Sequence, residues 1–171
     1  LADVLAKESY DKQELKRLRD WLMQGAAGIE IPEASDSENL DKSLALYLIV
    51  RDLMKELNAV GGGFMSQLEW GSDARGIPLP VTDIMESLFN STFDHNGPKE
   101  VIPYATEADV QALLTQLFMT WLSGGNPPLF MDFRKVWEPS EIKEFAASKG
   151  VALEGNTPWE QKGFVDGVNS G

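Results

Sequence analysis

Cysteine is absent from this sequence, and histidine occurs once, at His95. The first absence excludes disulfides, thiolate zinc sites and cysteine nucleophiles from the chain. The second excludes any motif that needs two histidines, such as HExxH. No serine stands in a GxSxG elbow, so His95 has no partner for a Ser-His-Asp arrangement. Beside Asn96-Gly97 in a polar turn, His95 reads as a solvated surface group. Long apolar runs are missing too. None approaches the roughly 20 residues that span a bilayer, and no signal peptide is visible at the start. Positive charge is scarce, with 15 Lys and Arg against 27 Asp and Glu and a net charge of −12. That balance argues against nucleic acid and membrane as partners, because either needs a basic surface. A cation, or a neutral sugar held by hydrogen bonds, remains compatible. Cytoplasmic location is the expectation. The sequence opens at Leu1 in mid-pattern, which implies further gene product upstream.

With 171 residues and 43% hydrophobic content, the chain can bury an ordinary core as one domain, or one domain and part of another. Its organising stretch is residues 98–137. Residues 101–106 form a short apolar run with a β-branched bias, bounded by Asn96-Gly97-Pro98, and predict a strand. Val110, Leu113, Leu114, Leu117 and Trp121 then recur at helical spacing. Thr106 with Asp109 three residues on predicts a capping box for that helix. Gly124-Gly125 end it, and Leu129-Phe130-Met131 begin a second buried strand that stops at Asp132. One acid stands at each predicted strand exit, Glu107 and Asp132. If the strands are parallel neighbours, a right-handed crossover brings both exits to one sheet edge, about 4.8 Å apart. Ligands of open α/β sheets bind at that edge, and two carboxylates there can share one ion. A purely structural reading stands beside this one. Glu107 in a first helical turn is stabilised by the helix dipole alone, and Asp132 pairs with Arg134 or caps a turn.

Elsewhere, residues 1–7 read as the tail of a helix. Asp11 opens the next, with Glu14 completing a capping box and Leu15, Leu18 and Leu22 on one face. Residues 25–39 predict a loop. Residues 40–57 predict a helix with a broad apolar stripe of Leu44, Tyr47, Leu48, Leu53, Met54 and Leu57. Gly61-Gly62-Gly63 fit neither ordinary helix nor strand, and no phosphate-loop pattern surrounds them. Gln67 and Trp70 are candidate sugar contacts, although Trp70 serves equally well as packing. After Pro80, Val81, Ile84, Met85, Leu88 and Phe89 share a helical face. Pro139 suits a first helical position, with Ile142, Phe145 and Ala146 buried behind it. Residues 151–153 and 163–168 predict short strands. The fold class is α/β, a mainly parallel sheet with flanking helices.

Several of these segments together resemble the L-fucose isomerase family, which includes enzymes also described as D-arabinose isomerases. The likeness runs from about Leu44 to Gly171. It is clearest at Asn90-Ser91-Thr92-Phe93-Asp94, Asn96-Gly97, Ala105-Thr106-Glu107, Phe130-Met131-Asp132-Phe133-Arg134 and the closing Asn169-Ser170-Gly171. The resemblance implies a fragment of a metal-dependent aldose–ketose isomerase, converting L-fucose to L-fuculose or D-arabinose to D-ribulose through an ene-diolate. Residues 1–123 would belong to the middle domain and 124–171 to the beginning of the C-terminal one. Glu107 and Asp132 would be both catalytic and metal ligands, usually for manganese, with the base and acid roles open between them. The third ligand would be a histidine downstream, a position that His95 does not occupy. Gln67, Trp70 and Arg134 would contact the sugar. Gln67 stands two residues after Met65, where the family often has a substrate-binding Gln. A homo-oligomer, by resemblance a hexamer, is the expected assembly. The competing reading is a non-catalytic binding or assembly module that retains the isomerase-like shell.

Overall fold

Consecutive residues Ser43 to Leu48 are all buried, so a helix through them must be covered on every side. That helix is α3, Ala34–Leu57, at the centre of the first of two units in the computed structural model. The structure describes residues 2–25, 34–64, 82–128 and 132–168. The first unit spans Leu1–Phe130 with Ser170–Gly171, the second Met131–Asn169. In the first, α1 (Ala2–Ala6), α2 (Lys12–Gly25) and α4 (Asp83–Phe89) pack against α3. Leu18, Leu44, Tyr47, Met85, Leu88 and Phe89 join one apolar cluster. Tyr47 meets Phe89 edge-on at 5.0 Å, and Phe89 stacks on Tyr104 at 4.9 Å.

Helix α3 begins six residues before the predicted Leu40, so residues 34–39 are helical rather than loop; the rest of the predicted loop, apart from Gly25, lies outside the described residues. Leu53 and Leu57 leave the predicted stripe and are exposed. Strand pairing is sparse among the described residues. Strand β1 (Gly62–Gly63) runs parallel to β4 (Tyr104–Ala105). The β2 (Phe93–Asp94) and β3 (Gly97–Pro98) segments form a small antiparallel hairpin. Only two residues of the predicted strand 101–106 are paired, and Gly62-Gly63 do form a strand. The missing side chains are what permit it. A Cβ on Gly62 would meet the Tyr104 ring at 2.7 Å.

Helix α5, Val110–Leu122, buries Gln116, Leu117 and Thr120. Val110, Leu114 and Trp121 are exposed, contrary to the face read from spacing. Helical periodicity identified the helix and its buried Leu117, with Leu113 half-buried, but Gln116 and Thr120 complete the packed side in place of Val110, Leu114 and Trp121.

The second unit pairs β5 (Asp132–Trp137) antiparallel to β6 (Phe164–Val168). Helices α6 (Pro139–Ser148) and α7 (Pro158–Lys162) complete it. Pro139 does sit in the first turn of α6, but Phe145 is exposed while Ile142 and Ala146 are buried. Residues 151–153 are not a strand. A cavity of about 470 Å³ in this unit is lined by Trp137, Phe145, Lys149, Trp159 and Phe164 among others.

A partly buried charge network braces the first unit. Arg51 on α3 donates to both carboxylate oxygens of Glu14 on α2, at 2.6 and 3.0 Å. His95 Nε2 lies 3.1 Å from Glu14 Oε1, and the Tyr47 hydroxyl donates to Asp94 at 2.7 Å. The His95 side chain is 1% exposed, so the solvated reading is wrong. Its polar turn folds inward because Glu14 offers an acceptor there. Asp11 caps α2 as expected, accepting from Gln13 and Glu14 N–H, but the Glu14 side chain turns to Arg51 instead of back to the cap.

Hydrogen bonding to Arg51 holds the Glu14 carboxyl down at about 2, against 4.5 ordinarily. The lowered value contributes stability that is complete above pH 4.5 and is lost as pH falls towards 2. Glu14→Gln is expected to destabilise by roughly 1.5–3 kcal/mol at pH 7. Thermal melts from pH 7 to 2 should show the gap from the unsubstituted protein closing at the acid end.

Candidate active site

Glu107 lies in a 3-10 turn, Thr106–Ala108, between β4 and α5. Its backbone is left-handed, φ 57°, and so is that of Ala108, φ 51°. For residues other than glycine this conformation costs about 1–2 kcal/mol each. Such strain persists only where surrounding structure imposes it, and it concentrates at functional sites. The expected capping box is not formed here. The N-cap of α5 is Asp109, whose carboxylate accepts from Ala112 N–H at 2.9 Å. Glu107 thus has no capping duty. It is exposed, and its carboxylate makes no hydrogen bond or ion pair among the described residues.

Three supports impose the turn. The Asn90 side chain pairs with both backbone groups of Tyr104, accepting from its N–H at 3.0 Å and donating to its C=O at 2.9 Å. Across β1, the Gly62 N–H donates to Pro103 C=O at 3.1 Å. Gly63 packs so closely that a Cβ would stand 2.5 Å from the Ala105 carbonyl oxygen and 2.9 Å from the Ala108 Cα. The glycine run therefore admits protein backbone, not a ligand phosphate. Beneath lies Glu86 of α4, fully buried, which accepts from the Thr82 hydroxyl at 2.9 Å and the Thr106 hydroxyl at 2.8 Å. Burial pushes its carboxyl pKa up, opposed by those two hydroxyls. Sequence reading missed Glu86, although a lone acid between Met85 and Leu88 on an apolar helical face was a visible signal.

The strand does not stop at Asp132 but runs on to Trp137, with Asp132 paired to Val168; the predicted run Leu129-Phe130-Met131 lies outside the described residues. Since β4 pairs with β1 and β5 with β6, no shared sheet edge joins Glu107 to Asp132 among the described residues. Arg134 is exposed, and the β5–β6 register skips it: Phe133 pairs with Gly167 and Lys135 with Asp166. A bulge of this kind re-aims one side chain and is common beside active sites. Gln67 and Trp70 lie outside the described residues. Among the described residues no three His, Cys, Asp or Glu side chains converge as a metal site, and no helix is long and apolar enough to cross a membrane.

Residues 1–124 match the family model for the L-fucose isomerase second N-terminal domain. The chain belongs to the L-fucose isomerase family. It is similar to the L-fucose isomerase of Clostridium perfringens, 28% identical over 193 residues, covering 96% of this chain and 30% of that protein. The L-fucose isomerase of Salmonella choleraesuis is 29% identical over 185 residues, covering 95% and 29% respectively. That of Salmonella typhimurium gives the same figures. The chain spans about 30% of the length of these relatives. The matched family domain contains the Glu107 turn and every support described for it.

Gly63→Ala is expected to destabilise the first unit by about 1–3 kcal/mol through overpacking. Urea denaturation measures this, and a neutral result would mean that β1 does not hold the Glu107 turn.

Proposed function

We propose that this chain is the part of an L-fucose-type aldose–ketose isomerase that contributes two acids to its active site. The observation that carries the reading is Glu107, an exposed carboxylate without a partner among the described residues, held on strained left-handed backbone in a chain of this family. The reaction interconverts L-fucose and L-fuculose, and extends to D-arabinose and D-ribulose. Residues 1–123 form part of the middle domain and 124–171 begin the next. The β1–β4 pair is then one corner of a larger, mainly parallel sheet.

Glu107 and Asp132 would hold the metal. Carboxylate oxygens are hard donors, which suits Mn2+ or another hard divalent cation, and Glu107 has its oxygens to spare. A divalent cation, when bound, supplies positive charge that stabilises negative charge developing on the sugar oxygens. One of the two carboxylates removes a proton from one sugar carbon as general base and returns it to the adjacent carbon as general acid. Arg134, set out by the β5 bulge, would hydrogen-bond a sugar hydroxyl, with Gln67 and Trp70 gripping the sugar beside it. His95, whose Nε2 lies against Glu14, does not stand at the family's third-ligand position, so that ligand would come from outside this chain. A homo-oligomer, by family resemblance a hexamer, and a cytoplasmic setting complete the proposal. The alternative of a non-catalytic module leaned on Glu107 as a helix cap, and Asp109 holds that role.

Glu107→Gln and Asp132→Asn in the complete protein should each weaken Mn2+ binding and lower isomerase turnover by about 10²–10⁴-fold, with the melting temperature preserved. Lost stability with unchanged metal binding would overturn the assignment. The 171-residue chain alone should bind Mn2+ weakly and turn over no L-fucose. Turnover by it would refute a site that needs a further ligand.

A further inference from the structure

The one fully buried carboxyl directly behind the Glu107 turn has no role in the proton transfer described above. Glu86 is 0% exposed and touches two hydroxyls, one on each side. Thr82 stands at the N-cap position of α4, and its hydroxyl donates to Glu86 Oε1 at 2.9 Å. On the other side Thr106, buried and adjacent to Glu107, donates to Glu86 Oε2. An acid buried at this depth is an expensive way to hold a fold, since an apolar side chain of similar volume is often neutral or stabilising. What the acid adds is direction. It fixes the Thr106 rotamer and the start of a turn whose next two residues are left-handed.

We propose that Glu86 is the positioning residue for Glu107: through the Thr106 hydroxyl it locks the turn that presents the Glu107 carboxylate to the metal. This rests on the reading of Glu107 as a metal ligand given above. Glu86 does not itself reach substrate or metal. It acts as the outer partner of a ligand-bearing turn, and loss of such a partner typically costs 10–100-fold in metal affinity.

The test is Mn2+ titration of the complete protein, read as Kd, with a melting curve for each variant. Glu86→Leu and Thr106→Val should each raise Kd by about 10–100-fold. Their combination should raise it no further than Glu86→Leu alone, because that variant already lacks the Thr106–Glu86 contact. Glu86→Gln keeps the shape and two polar atoms, and should recover most of the affinity lost in Glu86→Leu. Thr106→Val preserves side-chain volume and keeps the test decisive if Glu86→Leu does not fold. Lower melting temperatures with an unchanged Kd would overturn the proposal and leave Glu86 a structural acid. Glu107→Gln separates the two levels. If it weakens Mn2+ binding while Glu86→Leu and Thr106→Val do not, positioning alone fails. If it has no effect, the metal-site reading fails and the positioning role with it.

Discussion

Strand β4 is hydrogen-bonded on both sides by partners that are not ordinary strands. On one side stands Gly62-Gly63, a stretch of backbone with no side chains. On the other stands the Asn90 side chain, whose amide imitates a neighbouring peptide unit. Tyr104 is fixed between them, and its ring continues the stack from Phe89 into the core around α3. Everything distinctive about the first unit follows from satisfying this short strand. The close approach of β1 demands glycine, α4 must end at Asn90, and the chain leaving Ala105 has to turn within three residues before α5 can start. Backbone groups buried this way cannot be left unpaired, so the constraint passes from strand to turn, and from turn to the carboxylate of Glu107.

The sequence made the helices legible where one face was apolar and well bounded. Asp11 capping α2, the Met85, Leu88 and Phe89 face of α4, and Pro139 at the head of α6 were readable because caps and periodicity are local. Strand pairing was not local. Nothing near Gly61-Gly62-Gly63 or residues 101–106 reveals that the two meet, and β5 carried no mark telling an antiparallel partner downstream from a parallel one upstream. The strand was consequently ended at Asp132, whereas it continues to Trp137.

Polar residues produced the other errors. His95 looked like surface from its neighbours, and only the carboxylate of Glu14, distant in sequence, draws it inside. Thr106 and Asp109 had the spacing of a capping box, yet the threonine serves Glu86 and the aspartate caps alone. Family resemblance singled out Glu107 as a ligand where spacing alone favoured a structural role in a first helical turn. The strained backbone and uncommitted oxygens favour the ligand reading over the cap.

The connection between α4 and β4 is stitched along its length. Lys99 Nζ donates to the carbonyl oxygens of Phe89 and Ser91, its backbone N–H bonds Thr92 C=O, and Ile102 N–H returns to Phe89 C=O. Burial pulls the Lys99 pKa down to about 8, a sign of how tightly the ammonium is enclosed. Loops usually absorb changes in length, but this one does not have the slack. Adding or removing a residue between positions 90 and 103 would shift Asn90 out of step with Tyr104. In a comparison of lengths across such chains, this span should behave like a strand or helix, with gaps falling elsewhere.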